Sequence, residues 1–272
     1  MTGGTSVPSF FLIIFVKNKQ MINSVRNTVL SVLNKNNYGY ISPSDFNLYA
    51  KQAQMEVFEE YFSTYNKTLN MENARMSGSS YADSKKTIEE CIETFFQTSS
   101  LTQVTPATNK YYLPSTSTTG FNYYMINKVL CYDASGMSRV YKGEAEKVNH
   151  SKITMLLNSM LTTPTETYPA YTQEGNIMTV YPATINLPGE VDAQYFRYPK
   201  DPKWTYITLL NGSPAFDQSQ LDYQDFEVPA EDEYKLVLKI LQYCGVSIRE
   251  NEVVQFGMVQ EQMQEPSFTA KQ

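Results

Sequence analysis

Residues 21–62 read MINSVRNTVLSVLNKNNYGYISPSDFNLYAKQAQMEVFEEYF, and they decide the fold because two periodic apolar segments are joined there by one turn. In the first segment apolar residues recur every three or four positions, which is typical of a helix with one buried face. The residues of this face are Ile22, Val25, Val29, Val32 and Leu33. Asn23, Arg26, Asn27 and Ser31 are predicted to lie off it.

The second segment carries a broader, more aromatic stripe that also requires a partner surface. Its members are Phe46, Tyr49, Ala50, Ala53, Val57, Phe58, Tyr61, Phe62 and Tyr65. Ser42 is predicted to cap this helix, with Pro43 at its first position and Asp45 in its first turn. The whole stretch therefore predicts an αα-hairpin.

Bulk composition limits the class of protein. The chain has 272 residues, of which 42% are hydrophobic, so it is long enough for one large or two small domains with a real core. A formal net charge of −6 argues against tight binding to bare DNA, which requires a basic surface. Three cysteines, with no CxxC pair, predict neither a disulfide framework nor a zinc site, as expected of a reduced protein made in the cytoplasm.

The rest of the chain alternates in character. A third helix is predicted from an apolar stripe that comprises Ile88, Cys91, Ile92, Phe95 and Phe96. After Leu101, Thr, Ser, Pro and Tyr predominate, and strands are predicted at residues 123–132, 177–181 and 193–198. A short helix with Ile153, Leu156, Leu157 and Met160 on its apolar face is predicted to end before Pro164.

The last third returns to a helical pattern. A helix is predicted to begin at Pro229 and to end at Gly245. Its buried stripe is predicted to comprise Tyr234, Val237, Leu238, Leu241 and Cys244. A weaker segment at about residues 249–264 is expected to be ordered only against a neighbour.

Together these patterns predict an α+β fold with a helical layer from both ends of the chain and a β-rich middle, either an antiparallel sheet or a small sandwich. Residues 21–100 form the N-terminal helical region and residues 101–228 the β-rich insertion with one short helix. Residues 229–272 supply a helix and tail that pack with the N-terminal helices. Residues 1–20 are expected to be a non-native or disordered extension, since the apolar run at residues 10–16 is far shorter than the roughly 20 residues of a membrane span.

No residue is predicted to be catalytic, to bind a cofactor or to hold a metal. Residues 34–45 imitate a calcium-binding loop, with Gly39 at position 6 and Asp45 at position 12, but only one carboxylate is present, so a tight turn is the preferred interpretation. His150 is the only histidine, and its setting favours a helix start over an imidazole base. No nucleophile-elbow, P-loop or dinucleotide-binding motif occurs, so we expect no enzyme.

Two features leave alternatives open. Trp204, with Pro202, Lys203 and Tyr206 beside it, fits either an aromatic anchor at an interface or burial in its own domain. The 21 tyrosines fit either amphipathic contact surfaces or the faces of strands.

Three stretches carry a resemblance to a known family. These are GYISPSDFNLYAKQAQMEVFEEYF from Gly39, FRYPKDPKWTY from Phe196 and SQLDYQDFEVPAEDEYKLVLKILQYCGVSIRENEVVQ from Ser219. They resemble virion structural proteins of crAss-like and related phages of Bacteroidota, which form rings between the portal and the tail. The resembling stretches lie between Met21 and about Gln262, and they bring no catalytic residues with them.

The resemblance implies a cyclic, twelve-fold homo-oligomeric ring in the head–tail connector, in contact with the portal and other ring or tail proteins. Genomic DNA would only pass through its channel, and no membrane would be involved. We expect the helical layer to supply much of the ring contact. The Tyr- and Thr-rich middle leaves an alternative open, a carbohydrate- or receptor-binding module of the virion or tail.

Overall fold

The computed structural model describes residues 20–35, 40–73, 81–134, 136, 138–248 and 259. Its helices are α1 (Met21–Lys35), α2 (Pro43–Asn73), α3 (Tyr81–Glu93), α4 (Thr116–Thr119), α5 (His150–Leu157) and α6 (Glu233–Ile248). Its strands are β1 (Phe96–Ser100), β2 (Lys110–Tyr112), β3 (Tyr123–Asp133), β4 (Val140–Lys147), β5 (Ala170–Glu174), β6 (Ile177–Tyr181), β7 (Val191–Arg197), β8 (Tyr206–Thr208) and β9 (Pro214–Phe216). The predicted α+β fold, with a β-rich middle and helices toward both ends, is confirmed.

The chain divides into two compact units. Unit 1 joins the residues up to Val57 with those from Asp201 onward, and unit 2 comprises the residues from Phe58 to Lys200. The first and last helices, α1 and α6, therefore share one unit, which also contains the β8–β9 hairpin.

Unit 1 is built around α1, the first half of α2 and α6. The predicted face of α1 is buried, except that Val32 is only half-buried. A carboxylate far away in sequence caps α1, because Asp225 accepts hydrogen bonds from the backbone amides of Met21 (3.0 Å) and Ile22 (2.8 Å). For α2 the predicted cap is confirmed, since the amide of Asp45 donates to Ser42 Oγ at 3.1 Å.

Unit 2 is built on a seven-stranded mixed sheet with the strand order β1-β7-β3-β4-β5-β6-β2. All neighbouring pairs are antiparallel except β4 and β5, which are parallel. The sheet curls because the chain after β1 pairs with β2: a bridge joins Gln103 to Tyr111, and the Val104 amide donates to the Lys110 carbonyl at 2.9 Å. Its concave side encloses a core that includes Tyr111, Cys131 and Tyr195.

Aromatic contacts hold the second half of α2 against this sheet. Phe58 packs edge-on against Phe95 and Tyr124, with ring centroids 4.9 Å and 5.0 Å apart. Phe62 makes a similar contact with Phe196 of β7 at 5.5 Å. Most of the aromatic stripe predicted for α2 is therefore buried, whereas Tyr49 and Tyr65 are only half-buried.

Several local predictions are wrong for physical reasons. The predicted third helix ends at Glu93, and Phe96 instead opens β1, paired with Phe196, because strand pairing outweighs the weak helix propensity of the Thr and Ser residues that follow. In α6, Gly245 is buried within the helix and the helix continues to Ile248, since an internal glycine costs only about 1 kcal/mol relative to alanine.

The buried face of α6 is also rotated from the predicted one. Leu241 and Cys244 of the predicted stripe are buried, but Tyr234 is exposed and Val237 and Leu238 are only half-buried. Leu236 and Ile240 are fully buried instead. Nearly every position from Leu236 to Leu241 is apolar, so spacing alone could not fix the face. The predicted extension at residues 1–20, apart from Gln20, and the segment at about residues 249–264, apart from Val259, lie outside the described residues.

Candidate assembly surfaces

The residues considered as possible metal ligands or catalytic groups have structural roles where the structure describes them. Residues 36–39 of the calcium-like loop lie outside the described residues, and Asp45 at its end accepts a hydrogen bond from Ser42 Oγ at 2.6 Å. His150 is the first residue of α5, as predicted, with its Nε2 atom 3.0 Å from the Gln173 carbonyl oxygen. Within the described part of the chain no three His, Cys, Asp or Glu side chains lie close enough together to hold a metal ion.

Among the described residues, the thiols and phenols whose pKa values rise to about 12 owe the shift first to burial. Burial raises the pKa of the Cys131 thiol to about 12, and it does the same for Cys244. Burial likewise raises the pKa of Tyr111 to about 12. These shifts favour the neutral thiol and phenol, which are poor nucleophiles, so they indicate core packing.

Trp204 belongs to the core of unit 1, which decides between the two alternatives left open by its sequence setting. It is only 2% exposed, and its ring stacks on Tyr206 and Phe216. Asn47 Oδ1 accepts from the Trp204 amide at 2.8 Å, and Asn23 Oδ1 accepts from its indole nitrogen at 3.2 Å. It is therefore not an exposed interface anchor.

Arg26 contradicts the prediction that it lies off the buried face of α1. It is 5% exposed, and its guanidinium carbon lies 3.8 Å from the centre of the Trp204 ring. Burial lowers the pKa of its guanidinium, and its buried Nε atom has no hydrogen-bond partner. The cation–π contact explains why a charged side chain occupies this face.

The first apolar surface surrounds α5 and the loop that follows it. Met160 is 99% exposed and Leu161 is 97% exposed, and Met155, Leu157 and Tyr168 are exposed beside them in sequence. We name these five residues the α5 surface. The helix ends at Leu157, so the prediction that Met160 completes its apolar face is wrong.

Hydrogen bonds order the loop that carries this surface. Thr163 donates from its amide to the Ser159 carbonyl at 3.1 Å, and the amides of Thr165 and Tyr168 bond within the same loop. At its far end Lys142 binds Glu166 at 2.5 Å. The exposed side chains are thus presented by a hydrogen-bonded scaffold.

A close backbone approach also fixes this loop. A Cβ atom placed on Gly143 of β4 would lie 2.4 Å from the Thr167 carbonyl oxygen, a distance that side chains do not tolerate. Glycine at this position therefore lets the end of the loop lie against the sheet.

The second apolar surface is the β8–β9 hairpin of unit 1. Tyr206, Ile207, Leu209 and Leu210 are exposed, and we name these four residues the hairpin surface. Its turn is closed by hydrogen bonds from the Leu209 amide to the Ser213 carbonyl and from the Gly212 amide to the Leu209 carbonyl, both 2.9 Å. Gly212 has a φ of +80°, which favours glycine.

Sequence reasoning did not single out either surface. One signal was available for the hairpin, because Leu209 and Leu210 immediately precede the turn-forming pair Asn211-Gly212. Two consecutive apolar residues at the tip of a tight hairpin cannot both face a core. For Met160 and Leu161 the apolar pattern continued that of α5, so the pattern itself indicated burial.

Comparison with known protein families finds no matching family, and a search of curated proteins finds no relative of this chain. None of the helices in the described part of the chain has the length and hydropathy required to cross a bilayer.

Proposed function

We propose that this chain is a virion structural protein, a ring subunit of the connector that joins the portal of a phage capsid to its tail. The observation that carries the proposal is a pair of exposed apolar surfaces, one on the hydrogen-bonded loop after α5 and one on the β8–β9 hairpin. An apolar side chain that is fully exposed contributes nothing to its own fold, and contiguous exposed apolar residues mark sites of protein association.

The order of the two scaffolds supports a structural role. Ring subunits must meet their neighbours in one geometry, and side chains on a hydrogen-bonded loop or a closed hairpin lose little conformational entropy when they are covered. Both surfaces meet this condition. The three resembling stretches supply the connector location, the cyclic ring and its twelve-fold symmetry as parts of the proposal.

Charge supports passage of DNA without binding. The net charge of −6 disfavours tight binding to the phosphate backbone of DNA, which suits a channel that lets the genome pass during ejection. The portal and other ring or tail proteins are the further partners that this location requires. We assign the chain no catalytic step.

Oligomerisation of the full chain tests the proposal. Mass photometry and negative-stain electron microscopy across rising concentrations should reveal a closed ring of uniform size, and mass spectrometry of purified virions should contain the polypeptide. A chain that stays monomeric at the highest concentration and is absent from virions would contradict the proposal. Binding to a glycan array by such a monomer would support a receptor-binding module instead.

A further inference from the structure

We propose that the ring contact is heterologous, with the α5 surface of one copy packed against the hairpin surface of the next copy. This inference rests on the proposed ring and names the two surfaces that close it. In a cyclic assembly every contact joins two different patches, so each subunit must present a complementary pair. The α5 surface and the hairpin surface are two different patches, since they lie in different units of the chain.

The apolar faces of the main helices are already used within the chain. Most residues of the α1 and α2 stripes are buried, and so is the apolar face of α6 that contains Leu236 and Ile240. Ring contact through these stripes would require the chain to open. The α5 surface and the hairpin surface require no such change, since their side chains are exposed as the chain stands.

The size of the surfaces favours repeated contact over a simple dimer. Each comprises only four or five side chains, whereas a stable interface of standard size involves about 20–30 residues on each side. One such contact would be weak. In a closed ring each copy makes the contact twice, once through each surface, so closure stabilises what a single pair does not.

Charge decides which surface meets which. Between His150 and Tyr168 the formal charges are Lys152, which is exposed on α5, and Glu166, which is neutralised by its ion pair with Lys142. Residues 206–224 carry only Asp217 and Asp222, and Lys203 pairs with Asp222. Hydrogen bonds from Ser219 and Gln220 lower the pKa of Asp217, so its carboxylate is charged at neutral pH.

Contact between two identical surfaces would therefore place like charges together. Two α5 surfaces would bring Lys152 near Lys152, and two hairpin surfaces would bring Asp217 near Asp217. Contact between an α5 surface and a hairpin surface brings opposite charges together instead. The α5 surface of one copy therefore binds the hairpin surface of a second copy, and not the α5 surface of that second copy.

Single-cysteine variants test this pairing directly. The full-length chain would carry Cys91→Ser, and the other native cysteines, Cys131 and Cys244, are fully buried and do not interfere. Met160→Cys and Leu210→Cys would be purified separately, mixed and oxidised. We expect a covalent dimer to form in the mixture at least tenfold faster than in either variant alone. Val140→Cys, exposed on β4, replaces Met160→Cys in the matched control mixture and should not cross-link.

Each outcome bears on the inference. Cross-linking of Met160→Cys or Leu210→Cys alone at the rate of the mixture would overturn it in favour of a contact between identical surfaces. Rings seen by mass photometry without any cross-link in the mixture would overturn the pairing and leave the proposed function standing. Failure of the uncross-linked chain to form rings at any concentration would overturn both.

Discussion

At the scale of single residues, the core of unit 1 is organised around Trp204. Its ring is covered by Arg26 on one element and by Tyr206 and Phe216 on others, and Asn47 binds its backbone on both sides. The Asn47 amide donates to the Trp204 carbonyl at 3.2 Å while its oxygen accepts from the Trp204 amide. The two polar contacts fix the backbone, and the charged contact only covers the ring.

Substitutions at Asn47 and Arg26 should separate these two roles. Asn47→Ala leaves two backbone groups beside a buried tryptophan without partners, so we expect it to lower the free energy of unfolding by about 1–3 kcal/mol. Arg26→Met removes an unpartnered buried donor as well as a cation–π contact worth about 0.5–2 kcal/mol, so the net change should stay below about 1 kcal/mol. Urea denaturation measures both, and a larger loss for Arg26→Met would contradict this account.

Gly143 is the residue on which the placement of the α5 loop depends. Gly143→Ala places a methyl group against the Thr167 carbonyl oxygen, and the required shift should lower the free energy of unfolding by about 1–3 kcal/mol. Gly136 provides the matched control, since an added Cβ there meets nothing closer than 4.0 Å. Thermal unfolding of the two alanine variants should differ accordingly, and equal stability would show that the loop does not lie against β4.

At the scale of elements, α1 depends on a carboxylate that its own sequence does not supply. The helix has no acidic residue in its first turn, and Asp225 accepts from its first two amides. Asp225→Ala should therefore lower the free energy of unfolding by about 0.5–2 kcal/mol. Asp225→Asn keeps one oxygen acceptor and should lose less. If denaturation curves for the two variants coincide with that of the parent chain, the cap contributes nothing.

The α5 loop has an anchor that responds to pH. A hydrogen bond from Lys142 lowers the pKa of Glu166, and the same bond raises the pKa of Lys142. A lowered carboxyl pKa stabilises the fold above the ordinary glutamate pKa, and this contribution is lost as pH falls through the lowered value. The raised lysine pKa stabilises the fold below the ordinary lysine pKa, and this contribution is lost as pH rises through the raised value.

The anchor should therefore be intact from weakly acidic to weakly alkaline pH and be lost at both extremes. A carbon-detected NMR titration of the Glu166 carboxyl measures the acid limb. Lys142→Met should raise the pKa of the Glu166 carboxyl toward the ordinary glutamate value. Lys128→Met removes a different exposed ion pair and should leave the pKa of Glu166 unchanged. An unchanged titration of Glu166 in Lys142→Met would show that the pair does not form.

Elements were predictable where apolar spacing had one solution. The periodic faces of α1 and α2 and the cap at Ser42 followed from spacing and cap chemistry alone. The face of α6 did not, because its apolar residues are nearly continuous. The strand at Phe96 depends on pairing with residues a hundred positions away, which no local pattern contains. The two exposed apolar surfaces were missed because apolar residues usually indicate burial, and these are exceptions.

At the scale of the whole molecule, the fold and the α5 surface should use different side chains. Residues that the fold buries cannot be changed without a loss of stability, whereas Met160 and Leu161 make almost no contact within their own chain. The Met160→Ser, Leu161→Ser double variant should therefore keep the free energy of unfolding of the parent within about 0.5 kcal/mol. It should nevertheless form rings only at much higher concentration, since it loses the two most exposed apolar side chains of the α5 surface. The matched control is Leu48→Ser on α2, a single exposed apolar residue outside both surfaces, which should change neither property.

Mass photometry measures ring formation, and urea denaturation of the same preparations measures the free energy of unfolding. Loss of stability in the double variant would place these residues in the fold, and unchanged ring formation would remove the α5 surface from the ring contact.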